Sequence, residues 1–304
     1  MATTTTQTES DPSRSRVLVL DESQLRARIV DHLIRARDAA RTAAAHPDLA
    51  TGVHDARKAA RRVRAIADLV GDVLSQRERR RMHDAIRQAR HALGPARDHV
   101  VAAHIIPRLM LDEPAKEAAK LVLHAATVDA PGSEETRNGL AEAASAVVAQ
   151  VELLINALPP VLTFATVMDG VKSVYGRARR ARQQAKGSKR AFHAWRRRSK
   201  ELAYQLDVLG DAGGERLVEL SKAVNEVARA QRDAVDLFMV RGFVRAHRHL
   251  VDIDAATLLI DALDAQLLPL LKDVRRAGKA AFKQKPRKLV RSACRDASVG
   301  VVHS

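Results

Sequence analysis

Cysteine occurs once in the 304 residues, at Cys294, so no disulfide can form within the chain. A reducing compartment such as the cytoplasm fits that usage. Aromatic residues make up only 3%, with one Trp, two Tyr and five Phe. That is too few for the stacking platforms on which single-stranded nucleic-acid binders rest successive bases. Alternating runs of β-branched and aromatic residues are nearly missing, which removes strands from the expected architecture. No uninterrupted apolar run reaches the about 18 residues of a membrane-spanning helix, and the opening MATTTTQTESDPSRSR has no apolar segment behind a basic start. Membrane insertion and secretion are therefore not expected. No G-x-x-x-x-G-K-[ST] loop, H-E-x-x-H helix or C-x-x-C pair occurs, so no motif supports an ATPase, a zincin or a thiol-redox enzyme.

What the chain has in quantity is Ala, Leu, Val and positive charge. Hydrophobic residues reach 46%, and Lys and Arg number 52 against 36 Asp and Glu, for a net charge of +16. Ala and Leu favour helix, so the expected fold class is all-α. The charge balance points to a polyanionic partner: nucleic acid, an anionic membrane surface or a phosphate polymer.

Residues 1–16 are rich in Thr, Ser and Gln and are expected to be disordered. The helical region is expected over 17–290, divided at Pro159 and Pro160 into halves of 17–158 and 161–290. A weakly structured tail is expected over 291–304, beyond a break at Pro286. Eight to ten helices are expected, including separate ones over 215–231 and 234–250. Ser133 and Ser188 are the favoured N-caps.

The segment VHDARKAARRVRAIADLV, 53–70, concentrates the charge. At 100° per residue, His54, Arg57, Lys58, Arg61 and Arg64 share one sector, while Val63, Ile66, Ala67 and Val70 point largely elsewhere. Crowding like charges costs a helix about 0.2–0.5 kcal/mol per pair. The pattern fits either a solvated basic face or a face built for an anion. It also recurs. FHAWRRRSKELAYQLDVLGD aligns with VHDARKAARRVRAIADLVGD, matching His193 to His54, Arg196 to Arg57, Arg197 to Lys58 and Lys200 to Arg61. Later in each half, ALGPARDHVV and VARAQRDAVD bring Arg97-Asp98 into register with Arg232-Asp233. An internal duplication follows as an expectation.

An apolar residue followed by H-x-x-R-x-x-x-[RK], present twice with the later LG..RD element, resembles the CHAD family, the conserved histidine α-helical domain. VYGRARRAR from Val174 resembles that family's Tyr- and Arg-bearing helix. The second half departs from the pattern at Glu201, at Ala203 before Tyr204, and at Arg229, where the first half has Gly94. The resemblance implies two helical bundles about a pseudo-twofold axis, with basic helices converging on a central cleft or pore that binds inorganic polyphosphate. It also implies association with polyphosphate granules. The triphosphate-tunnel motif E-x-E-x-K, found in fused family members, does not occur, so a stand-alone, non-enzymatic binder is expected, with no cofactor and no metal. On this reading the polymer is gripped by His54, Arg57, Lys58, Arg61, Arg62, Arg64, Arg90 and Arg97 in the first half. The second half would add Tyr175, Arg179, Arg182, His193, Arg196, Arg197, Lys200, Tyr204, Arg229 and Arg232.

The residues support the phosphate reading in their own right. Arg grips two phosphate oxygens with a planar fork, and Lys supplies a mobile point charge. His54 and His193 are open to three roles: anion donor, metal ligand or packed core group. Asp98 and Asp233 are expected to orient arginines. Tyr175, Arg179, Arg182 and Lys186 step by 4, 3 and 4 along one face, either a second lining stripe or a solvent face. The HRH at 247–249 and the pair His83 and His91 are read as surface or capping residues. Two rival functions remain. A nucleoid- or RNA-associated basic protein is supported by the charge and by KQKPRK. A polyphosphate-processing enzyme would need clustered carboxylates to hold Mg²⁺.

Overall fold

The computed structural model describes residues 22–127, 132–185, 188–210 and 214–299. Every regular element among them is helical. Eleven α-helices run in order: α1 Glu22–Ala44, α2 Leu49–Leu69, α3 Gln76–Ala92, α4 Gly94–Ile105, α5 Glu113–Thr127, α6 Ser133–Ala157, α7 Phe164–Gln184, α8 Lys189–Leu209, α9 Gly214–Ala246, α10 Ile253–Ala281 and α11 Pro286–Val299. The disordered stretch expected over 1–16 lies outside the described residues.

Local chemistry sets most helix ends. Asp48 caps α2 by accepting from the backbone N–H groups of Ala50 and Thr51 at 3.2 and 3.0 Å. Ser75 and Glu78 form a reciprocal capping box on α3. Ser188 caps α8, its Oγ accepting from Ala191 N–H, as the sequence led us to expect. The α8 C-terminus is closed by Gly210 at φ +55°, a left-handed conformation that glycine adopts without strain. Ser133 is not an N-cap: Gly132 occupies that position without a side-chain bond, and Ser133 is already helical.

Two further expectations differ from the structure. The separate helices over 215–231 and 234–250 are one 33-residue helix, α9. No Gly or Pro interrupts 226–241, and Val227, Ala228, Gln231, Ala234 and Val235 supply a continuous buried stripe. The preceding helix ends at Ala281, ahead of Pro286, and Pro286 opens α11, which continues to Val299 through the region expected to be weakly structured. Proline is well placed at a first helical position, where its missing N–H costs nothing. The amphipathic pattern of α11 buries Leu289 and Ala293.

The main hydrophobic core draws on both halves, joining Leu25, Ile29, Val63 and Ile66 to Val171, Trp195, Leu206, Val240 and Phe282. A smaller cluster around Val53, Ala56, Leu93 and Leu140 closes the far end of the first half. Helix α2 is central: it packs on α1, α3, α6, α7 and α8. At its C-terminal end the α7 backbone comes so close that a Cβ on Gly170 would lie 2.1 Å from the Leu69 carbonyl oxygen. Helix α6 is long and apolar enough to cross a membrane; Leu140, Val147, Val151 and Leu154 are buried where it meets α1, α2 and α3.

Candidate functional site

Helices α2 and α8, which carry the repeated basic pattern, cross in contact. Gln205 is fully buried at the crossing and donates from Nε2 to the Ala65 carbonyl at 3.0 Å. That crossing turns part of each basic ridge toward the other. Lys200 on α8 is half-buried, and its ammonium is pushed down to about 8 from the ordinary 10.5. Desolvation is the largest cause, followed by the charges of Arg196, Arg61, Arg232 and Lys58. The charges of four residues of the sequence pattern thus act on Lys200: Lys58 and Arg61 from α2, Arg196 from α8 and Arg232 from α9. Arg197 lies beside Arg64 and Arg198, and burial and these two charges lower its proton affinity as well.

Arginines 57 and 196, matched in the sequence, make the same contact. Arg57 Nη1 donates to the Arg90 carbonyl at 2.6 Å, 33 residues on. Arg196 Nη1 donates to the Ala228 carbonyl at 3.1 Å, 32 residues on. Each guanidinium is thereby fixed by a backbone acceptor on the next helices of its own half. Arg61 Nε is held by the Arg57 carbonyl at 3.1 Å.

Other predicted residues fall elsewhere. Arg62 stacks over the Tyr204 ring, 5.8 Å from its centroid, and lies 4.0 Å from Asp207; these three make a cation–π and ionic group beside α1. Tyr175 is 1% exposed, and its hydroxyl donates to the carbonyls of Gln284 and Ala281 at 3.1 and 3.4 Å. It anchors the turn between α10 and α11 instead of lining an anion path. Arg179 Nε donates to the Phe282 carbonyl. Arg182 lines a small cavity with Trp195 and α10. His54 and Arg229 are exposed, and His193 packs its ring against Phe238 at 5.9 Å. Arg90 is half-buried on α3, and Asp233 is exposed on α9. Lys186 and the side chains of Arg97 and Asp98 lie outside those described.

Sequence reasoning missed an ionic knot beside the crossing. Asp68 on α2 lies 3.0 Å from His83 Nε2 and 2.9 Å from Arg177 Nη2. Glu201 accepts from Arg177 at 3.1 Å and from Arg198 at 2.6 Å. Burial alone would raise the Asp68 carboxyl, yet hydrogen bonds from His83 and Glu201, with the charge of Arg177, hold it well below the usual carboxylate range. Glu201 is raised by burial, by its hydrogen bond to Asp68 and by that group's charge, with Arg198 and Arg177 opposing. The two carboxyls are thus pushed in opposite directions, Asp68 down and Glu201 up. A cavity of about 900 Å³ opens beyond this knot, where Arg79, Arg177, Arg179, Arg180, Lys285 and Arg287 meet Asp68, Asp72 and Asp169. Glu201 had registered only as a departure from the repeat, and His83 only as a surface or capping group; nothing in the spacing signals that they meet.

The CHAD domain family profile matches residues 24–245. The fold is similar to the crystal structure of the CHAD domain from the plant Ricinus communis, with a TM-score of 0.58 and 18% sequence identity over 90% of this chain and 97% of that one. No curated protein matches the sequence.

Proposed function

This chain belongs to the CHAD family, and we propose that it binds inorganic polyphosphate without processing it, gathering the polymer in the cytoplasm at polyphosphate granules. The observation that carries the reading is the cluster around Lys200. Five cations from α2, α8 and α9 are held close enough for four of them to depress the fifth, in a partly desolvated setting. Such a cluster opposes folding unless an anion neutralises it. A linear anion without bases needs charge from several rigid helices and no aromatic platform, and the cluster has that composition. The matching contacts of Arg57 and Arg196 support the duplication, and with it a site to which both halves contribute. The buried carboxylates beside the α2–α8 crossing, Asp68 and Glu201, are engaged by Arg177, Arg198 and His83, which speaks against Mg²⁺-assisted cleavage there.

The test is binding of a fluorescent long-chain polyphosphate. Arg61→Glu with Lys200→Glu should weaken it more than tenfold while far-UV circular dichroism is unchanged; the two reversals remove cations whose counterion release drives association. Unlabelled polyphosphate should displace the probe far better than DNA at equal phosphate concentration, and incubation with Mg²⁺ should leave the chain length on a gel unaltered. Equal competition by DNA would favour the nucleic-acid reading, and shortening of the polymer would favour an enzyme.

A further inference from the structure

A cavity of about 390 Å³ lies among α7, α8 and α10, lined by Arg182, Ala185, Phe192, Trp195, Arg275 and Lys279. Its size falls within the usual range of small-molecule sites, about 300–1,000 Å³. Every polar side chain on the lining is a donor: two guanidiniums, an ammonium and an indole N–H. Two of these donors are buried with no hydrogen-bond partner, Arg182 Nε and Trp195 Nε1. Trp195 is 1% exposed, so its unmatched N–H is lost to water as well as to protein, an unfavourable state for a buried donor. The ring itself is wedged against α10, where a Cβ on Gly278 would meet Trp195 Cζ2 at 2.4 Å. Phe192 stands edge-on to it at 5.8 Å. The only aspartate bonded in this stretch of α10, Asp273, is taken by Arg276 and not by Arg275.

We infer that this cavity is a second site, for a small organic anion: a ring or short chain seated on Phe192, Ala185 and the Trp195 edge, with one phosphate or carboxylate head meeting Arg182, Arg275 and Lys279. The apolar floor separates it from the Lys200 cluster, which has only cations to offer. A chain of bare phosphates gains nothing from such a floor, whereas an amphiphilic monoanion meets both the cations of the lining and its aromatic surface. The site stands independently of polyphosphate binding.

Trp195 is the only tryptophan of the chain, so its emission reports on the site directly. Phenyl phosphate and 3-phenylpropionate are titrated separately into the full-length protein, with phenol and inorganic phosphate as the comparisons. A saturable change in Trp195 emission with either aryl anion, and none with phenol or inorganic phosphate at equal concentration, supports the assignment and identifies the preferred head group. Lys279→Glu and Arg275→Glu reverse exposed charges, leave the core intact, and should weaken that binding about tenfold or more, the worth of a charge-assisted bond. No saturable change, an equal response to phenol or to inorganic phosphate, or undiminished affinity in both variants overturns it.

Discussion

Raising the pH should weaken polyphosphate binding through one residue. Lys200 ionises at about 8 in the free protein against its ordinary 10.5, so at pH 7 it is charged and at pH 9.5 it is largely neutral. A bound phosphate chain supplies the counter-charge that the surrounding Arg196, Arg61, Arg232 and Lys58 withhold, and returns the ammonium toward its ordinary value. The internal phosphates of the polymer stay ionised throughout, so the change belongs to the protein. If the return is complete, affinity falls about thirtyfold between pH 7 and 9.5, or about 2 kcal/mol, and binding at the higher pH takes up close to one proton. Fluorescence titration across this range, with calorimetry in two buffers of different ionisation enthalpy, measures both quantities. The free protein should move the opposite way. Its folded-state value is depressed, so the unfolded chain holds more protons between pH 8 and 10.5, and this group's contribution to stability rises with pH through that window. Lys200→Met should bind more weakly at pH 7, show a flat profile and be the more stable protein. If wild type and Lys200→Met lose affinity in parallel, the cluster does not contact the polymer.

Gly170→Ala should be costly because its Cβ would meet the Leu69 carbonyl oxygen at 2.1 Å with backbone on both sides. A loss of about 3 kcal/mol corresponds to a fall in Tm on the order of 5–10 °C, and a fall below a degree in a thermal melt would contradict the close α2–α7 crossing. The opposite pulls on Asp68 and Glu201 predict unequal neutralising substitutions. Glu201→Gln should cost less than Asp68→Asn at pH 7, since burial and Asp68 disfavour the Glu201 charge, whereas Asp68→Asn deprives His83 of its carboxylate and leaves Arg177 with Glu201 alone, and should cost about 1.5–3 kcal/mol in urea unfolding. Asp68 is held low, so its contribution is present above the ordinary carboxylate range and fades as the pH falls. The penalty of Asp68→Asn should shrink accordingly in acid, and equal penalties for the two variants at pH 7 would refute the asymmetry.

The helices were legible because their signals are local. Apolar spacing and breakers such as Pro159 and Pro160 need no knowledge of the rest of the chain: α8 spans the 189–209 that the pattern gives, while α2, expected over 50–74, begins at Leu49 and stops at Leu69. The misreadings were local signals overruled by context. Ser133 was outcompeted by the preceding Gly132. Pro286 was read as a terminator, yet the amphipathic pattern beyond it could still dock, and burial of Leu289 and Ala293 sustains α11. The division at Pro159 and Pro160 follows the chain, but the core does not follow the division, because α2 and α8 interlock across it through Gln205.

For the site, helical phase placed Lys58, Arg61, Arg196 and Lys200 on ridges but could not say which way the ridges turn. That depends on the crossing of α2 and α8, a tertiary fact. The same limit explains Tyr175 and Arg182, which share a stripe in projection and serve different ends: one anchors a turn through Gln284, the other borders a cavity against α10. Projection onto one helix treats its face as uniform, whereas neighbours of different height along the axis divide that face. The ionic knot shows the complementary case. Asp68 is the one acid late in α2 and Glu201 interrupts the basic run of α8, and each reads alone as a minor blemish in a cationic pattern. Brought together with Arg177 and Arg198, they hold buried opposite charge at the helix crossing. Around the neighbouring Lys200, by contrast, the charges that lower its proton affinity are all positive. Carboxylates neutralise Arg177 and Arg198 where α2 meets α7 and α8, and on the proposed function an external anion does the same for the charge around Lys200.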